Sequence, residues 1–258
     1  MYNLGQYLPK ESAVHRLDPR IKILSIVVLS VMVLKARGLE PALLSLFLAA
    51  AAFAGGVKLR HVIDALRPLA VFLLILFSLH VFLTSGTPLL NIPPGISITR
   101  EGLQLGILTT WRFAALVTGA SILTLTTTPS ELVSGLERLL RPFNRIGLPS
   151  HDIAVMISLA LRFVPTLLDE LGRLRKAQLA RGAEFSKGSI TGRVKASSSL
   201  VIPLALGSVR RAEELARAME ARGYERGPRT YLRELRLTPA DYAAFAVVII
   251  FLTGLKLV

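Results

Sequence analysis

Five stretches of this chain are too apolar and too poor in charge to sit easily in water. They are Ile23 to Leu34, Pro41 to Val57, Pro68 to about Thr84, a run from Thr99–Gly102 to about Thr127, and Tyr242 to Leu255. Read as helices, they are membrane spans. The first covers only 12 residues between Lys22 and Lys35. At about 1.5 Å per residue it falls short of a ~30 Å hydrocarbon core, so snorkelling lysines or extension past Lys35 must supply the rest. The fourth run is continuous across Arg112, and the connection before it, Ser85 to Ile98, is Pro- and Gly-rich and carries no charge. The polar first twenty residues do not read as a signal peptide.

Charge supplies the orientation. The chain carries a net +14 yet is 52% hydrophobic, a combination rare in soluble domains, so the apolar excess faces something other than water. Arg16, Arg20 and Lys22 precede the first run, Lys58, Arg60 and Arg67 fill the second connection, and residues 131–236 hold 19 Lys and Arg against 11 Asp and Glu. Cytoplasmic loops carry such an excess. The N-terminus and the large basic region are therefore placed in the cytoplasm and the C-terminus outside. Lys35 and Arg37 then fall on the outer side, against the bias. Positive-inside asymmetry accounts for the basic charge, and no nucleic-acid partner is needed.

The basic region reads as three amphipathic helices, Ser130 to Asn144, His151 to Arg181 and roughly Arg193 to Arg222, entered through the stop-and-start signal Thr128-Pro129-Ser130-Glu131. Leu167, Leu171, Leu174, Gln178 and Arg181 are spaced three and four apart, so an apolar stripe runs down one face and ends in a guanidinium. Gly182 follows and suits a left-handed helix closure. The design returns 41 residues later, where Leu215, Met219 and Arg222 share a face and Gly223 closes the helix. Two basic ends built to one plan point to one partner gripped at two points. Pro165 and Pro203 lie within the apolar parts of these helices as candidate hinges or kinks.

Chemistry is sparse. No Gly-rich phosphate loop ends in Gly-Lys-Ser/Thr, and Lys187-Gly188-Ser189 has those letters in the wrong order. There is no cysteine and the four histidines are scattered, so no metal site is expected. Asp169-Glu170 and Glu213-Glu214 are sequence neighbours about 100° apart on a helix, which fits a solvated face balancing nearby arginines. No catalytic residue and no cofactor are expected. Within the spans, Arg112 is the candidate functional charge, weighed against a role capping a neighbouring carbonyl, and His80 is read as a packing histidine. A stand-alone permease would need a convergent set of polar groups at mid-membrane, and none is visible.

With these residues in view, the chain resembles the transmembrane T component of energy-coupling factor transporters, the EcfT/CbiQ family. The resemblance rests on the paired signatures Ala180-Arg181-Gly182 and Ala221-Arg222-Gly223. It rests also on LGQYLPKESAVHRLDPRIK, TLTTTPSELVSGLERLL, ALRFVPTLLDELGRLRKAQLARG and RRAEELARAMEARGY. The LGQY segment is most like the shared-module form, which serves several substrate-binding subunits. The resemblance implies an all-α integral membrane protein with about five transmembrane helices and three cytoplasmic coupling helices. Residues 1–127 would form a four-helix membrane domain, 128–237 the coupling domain, and 238–258 a last transmembrane helix. It further implies that the two Ala-Arg-Gly ends seat on two ABC-type ATPase subunits, which bind the ATP. A membrane-embedded S component would carry the vitamin or trace metal.

Overall fold

The structure, a computed structural model, describes residues 12–92, 96–142, 150–183, 185, 190–225 and 237–255. The LGQY segment, the helix end at Asn144 and Lys187-Gly188-Ser189 lie outside the described residues. Those described fall into two compact units, one built on the first six helices and the last, the other on the two longest helices.

In the first unit, α1 (Pro19–Lys35) begins four residues before its apolar run, because Asp18 caps it and Pro19 takes the first helical position. The Asp18 side chain accepts a hydrogen bond from Arg20 N at 2.9 Å. α2 is Glu40–Ala54. The expected connection from Lys58 to Arg67 is instead mostly helix, α3 (Leu59–Leu66), which passes through a 3-10 turn at Arg67–Leu69 into α4 (Ala70–Leu83). Leu59, Val62, Ile63 and Leu66 share one side of α3, while Arg60 and Asp64 pair on another. A short amphipathic helix can thus hide in what looks like a charged loop.

The uncharged connection also differs from a plain loop. It folds into an antiparallel hairpin, β1 (Pro88–Ile92) with β2 (Ile96–Thr99), pairing Leu90 with Ile98 and Ile92 with Ile96. Its base is held by the Glu101 carboxylate, which accepts from Thr87 N at 2.8 Å and from Thr87 Oγ1 at 2.9 Å.

α5 (Arg100–Thr126) is the hub of this unit and packs against α1, α2, α3 and α4. Two glycines let α4 approach it closely. A Cβ on Gly102 would lie 2.7 Å from the His80 carbonyl oxygen, and one on Gly106 would lie 3.1 Å from the Phe77 ring. Gly102 and Gly106 are one turn apart, the small-residue spacing that suits helix contacts in lipid. The core gathers Leu29, Val33, Leu44, Leu48, Ala115, Ile122 and Val248, with Phe47 stacked on Phe251 at 4.7 Å. α6 (Pro129–Leu140) starts where the stop-and-start signal places it. Glu131 accepts from Thr128 N at 2.9 Å and donates its own N–H to Thr128 Oγ1 at 3.3 Å, a reciprocal capping box. α9 (Pro239–Leu255) packs on α1.

The second unit contains α7 (Ser150–Ala180) and α8 (Ile190–Ala221), which pack on each other. Among the described residues three stretches are long and apolar enough to cross a membrane: Leu59–Leu83, Arg100–Thr126 and His151–Ala180, with Glu40–Ala54 and Pro239–Leu255 apolar but shorter. The fold is that of an all-α membrane protein carrying one small hairpin. The third stretch departs from the reading of α7 as a purely amphipathic helix. Residues 151–168 contain only Asp152 and Arg162 as charges, whereas 169–181 hold Asp169, Glu170, Arg173, Arg175, Lys176 and Arg181. α7 therefore changes character at mid-length.

Candidate docking tips and their supports

α7 and α8 end in the same way. At the first end, Gly182 N donates to Leu179 O at 3.0 Å and Ala183 N to Gln178 O at 3.0 Å. At the second, Gly223 N donates to Glu220 O at 2.9 Å and Tyr224 N to Met219 O at 2.9 Å. This is the Schellman pattern, which needs a left-handed residue after the helix. Gly182 and Gly223 supply it with φ of +83° and +72°. Arg181 and Arg222 thereby become the capping residues that directly follow Ala180 and Ala221.

The stripes behind them are half-buried at Leu167, Leu171, Leu174, Gln178, Leu215 and Met219. Ala180, Arg181, Gly182, Ala221, Arg222 and Gly223 are all exposed. Neither guanidinium bonds to any described residue. A cation at a helix C-terminus is favoured by the macrodipole, and among the described residues neither guanidinium is engaged by another side chain. Pro165 and Pro203 are exposed and neither interrupts its helix.

Arg112 makes a capping contact. Its Nη2 donates to Ala36 O at 2.9 Å, the carbonyl that closes α1, and Ala36 is fully buried. The guanidinium thus ties α5 to the C-terminal end of α1, where a cation suits the helix dipole. No group of three or more acidic, histidine or cysteine side chains is placed to hold a metal among the described residues.

One cluster carried no assignment in the sequence reading. Lys22 is buried, and its Nζ donates to Thr126 O at 3.0 Å, Thr127 Oγ1 at 3.2 Å and His15 O at 3.2 Å. Beside it, Asp241 accepts from Asp18 N at 2.7 Å and from Thr238 N and Oγ1, each at 2.7 Å. The knot joins the start of α1, the end of α5 and the start of α9. The only sequence signal was a lysine and two aspartates at the edges of apolar runs.

Glu170 also departs from its expected place. Asp169 is exposed, but Glu170 turns toward α8 and pairs with Arg211. Position along the stripe, rather than acidity, was the signal.

Compared with known proteins, residues 10–232 match the family model described as CbiQ, cobalt transport protein. The chain is 41% identical over 244 residues to the energy-coupling factor transporter transmembrane protein EcfT of Thermosediminibacter oceani, covering 94% of this chain and 92% of that one. It is 43% identical over 251 residues to the EcfT of Heliobacterium modesticaldum, covering 95% and 92%. It is 39% identical over 249 residues to that of Bacillus subtilis, covering 96% and 94%.

Proposed function

The chain belongs to the CbiQ cobalt-transport protein family, and from that premise we propose that it is the coupling subunit of an energy-coupling factor importer. In this reading Arg181 and Arg222 seat on two cytoplasmic ABC-type ATPase subunits, and the membrane helices hold a substrate-binding S component for a vitamin or trace metal. ATP is bound by the partner subunits, and this chain supplies neither catalytic residue nor cofactor. ATP-driven movement of the ATPases displaces the two tips, and the rigid helices carry that displacement toward the membrane. The N-terminus and the coupling region 128–237 lie in the cytoplasm. The membrane parts are 1–127 and 238–258.

The observation that carries this reading is the pair of matching, exposed Schellman ends whose guanidinium groups bond to no described residue. Arginine suits such a joint because its planar fork holds carboxylates or carbonyls with several donors at once. Pro165 and Pro203 are kinks that steer α7 and α8, and Arg112 is a structural cap.

The test is Arg181→Glu combined with Arg222→Glu in the chain co-expressed with its ATPases. Membrane insertion is retained and ATPase recovery is lost. Undiminished ATPase recovery overturns the docking assignment.

A further inference from the structure

α7 and α8 meet at a charged contact. Arg211 of α8 donates through Nη2 to Glu170 Oε2 of α7, and the two side chains are 31% and 23% exposed. The cleft beside Arg211 is largely apolar, lined by Phe163, Leu167, Leu215 and Met219, with Ser208 as a further polar side chain. Gly207 leaves the floor open: a Cβ there would stand 3.5 Å from Glu170 Oε1 and 3.7 Å from Arg211 Nη2. Arg211 Nη1 is buried and makes no hydrogen bond to a described residue. A half-desolvated pair on an apolar seam is weak evidence for stability but well suited to specifying one register among several.

Its position is the telling feature. Glu170 lies eleven residues before Arg181, and Arg211 lies eleven residues before Arg222. Eleven residues is about 16 Å of helix and three turns plus only ~20°. Each member of the pair therefore looks out on the same side of its helix as the tip beyond it, at the same distance from that tip.

We propose that Glu170 and Arg211 are positioning residues that pin the α7–α8 contact as a pivot with two equal arms. An apolar seam alone permits one helix to slide along the other by a turn. The ion pair forbids that slide, so a displacement at one arginine tip reaches the partner helix instead of being lost along the contact. This rests on the reading of the tips as docking points, and its test separates the two.

The chain has no cysteine, so Ala177→Cys and Ala218→Cys, both exposed and each four residues before a tip, are its only thiols when the purified chain is spin-labelled before assembly. The distance between them is measured by pulsed electron resonance in the assembled transporter in lipid nanodiscs, without nucleotide and with a non-hydrolysable ATP analogue. The parent gives one narrow distribution that shifts with nucleotide. Glu170→Gln broadens it and removes the shift, and Glu170→Arg with Arg211→Glu restores the narrow peak. An unchanged width and shift in E170Q, or a reversed pair no better than the single variant, overturns the pivot.

ATPase recovery stays at the parental level in both, because neither residue reaches a tip. If E170Q loses the ATPases, the pair belongs to the docking surface and the pivot assignment fails. Retention of ATPases by the chain with both tips reversed instead refutes docking and leaves the distance result standing.

Discussion

Replacing both capping glycines tests whether the tips act through their geometry. Gly182 and Gly223 have no atom within 4 Å of where a Cβ would sit, so alanine there meets no clash and its whole cost is backbone strain. That strain is about 1–2 kcal/mol for an L-residue in the left-handed region. Against it stand the two closing hydrogen bonds of each cap, worth about 1 kcal/mol net apiece where water is the alternative partner. With glycine the closed end is favoured by about 2 kcal/mol, and with alanine by about 0–1 kcal/mol. An end balanced at zero is closed half the time, so apparent affinity falls about twofold per end and fourfold for the pair.

Valine is a genuine outlier at positive φ, so Gly182→Val with Gly223→Val opens the ends and costs more than about tenfold. Asparagine visits the left-handed region readily, and its pair stays near parental affinity. Replacing both arginines by alanine removes about 2 kcal/mol or more at each end, a loss beyond about thirtyfold per end and about several hundredfold for the pair. The assay is titration of purified ATPases onto the chain in nanodiscs, with the four variant pairs ranked by dissociation constant. Valine caps that bind as well as glycine refute the argument outright. Asparagine as poor as valine shows that the glycine surface, not its backbone, is what the partner reads.

Lys22→Met strips the donor from Thr126 O, Thr127 Oγ1 and His15 O and is expected to cost about 3–5 kcal/mol, as when one member of a buried charged cluster is removed. Thermal unfolding in detergent reads this, and an unchanged midpoint refutes it. Arg112→Met leaves the buried Ala36 carbonyl without its donor, at about 1–3 kcal/mol, and Arg112→Lys recovers part of the stability and all of the uptake. Normal melting with lost uptake in R112M would instead place this guanidinium in the transport path.

What the sequence made legible was local. The start of α6 followed from Thr128-Pro129-Ser130-Glu131, because a capping box is written in four consecutive residues. The helix ends at Arg181 and Arg222 followed from a stripe and a glycine. The Lys22 knot was not legible, since Asp18 and Asp241 meet across 223 positions and no periodicity connects them. Glu170 was misjudged for a related reason. Beside Asp169 it looks like half of a solvated acidic pair, and only the arrival of α8 shows which of the two turns inward. The hairpin escaped because β1 and β2 are too short to declare an alternation, and its anchor, Glu101, belongs to the next helix.

The interactions that hold the first unit together follow from its solvent. Of the 14 residues of α4 only Val81 is buried, while Val71, Phe72, Leu74, Ile75, Leu79, Phe82 and Leu83 stand exposed. A helix so bare cannot be kept in place by the hydrophobic effect, because against lipid tails its leucines gain nothing by packing inward. Adhesion has to come from close backbone approach and from polar bonds between helices. Both are concentrated on α5. Gly102 and Gly106 admit α4, Trp111 Nε1 donates to Ser45 Oγ of α2 at 2.8 Å, Arg112 holds the end of α1, and Thr126 receives Lys22. A few small and polar side chains on one helix therefore do what a broad apolar core does in water. The outer face of α4 is apolar and exposed, the condition a membrane frame needs if it is to be covered by lipid or by another helical subunit.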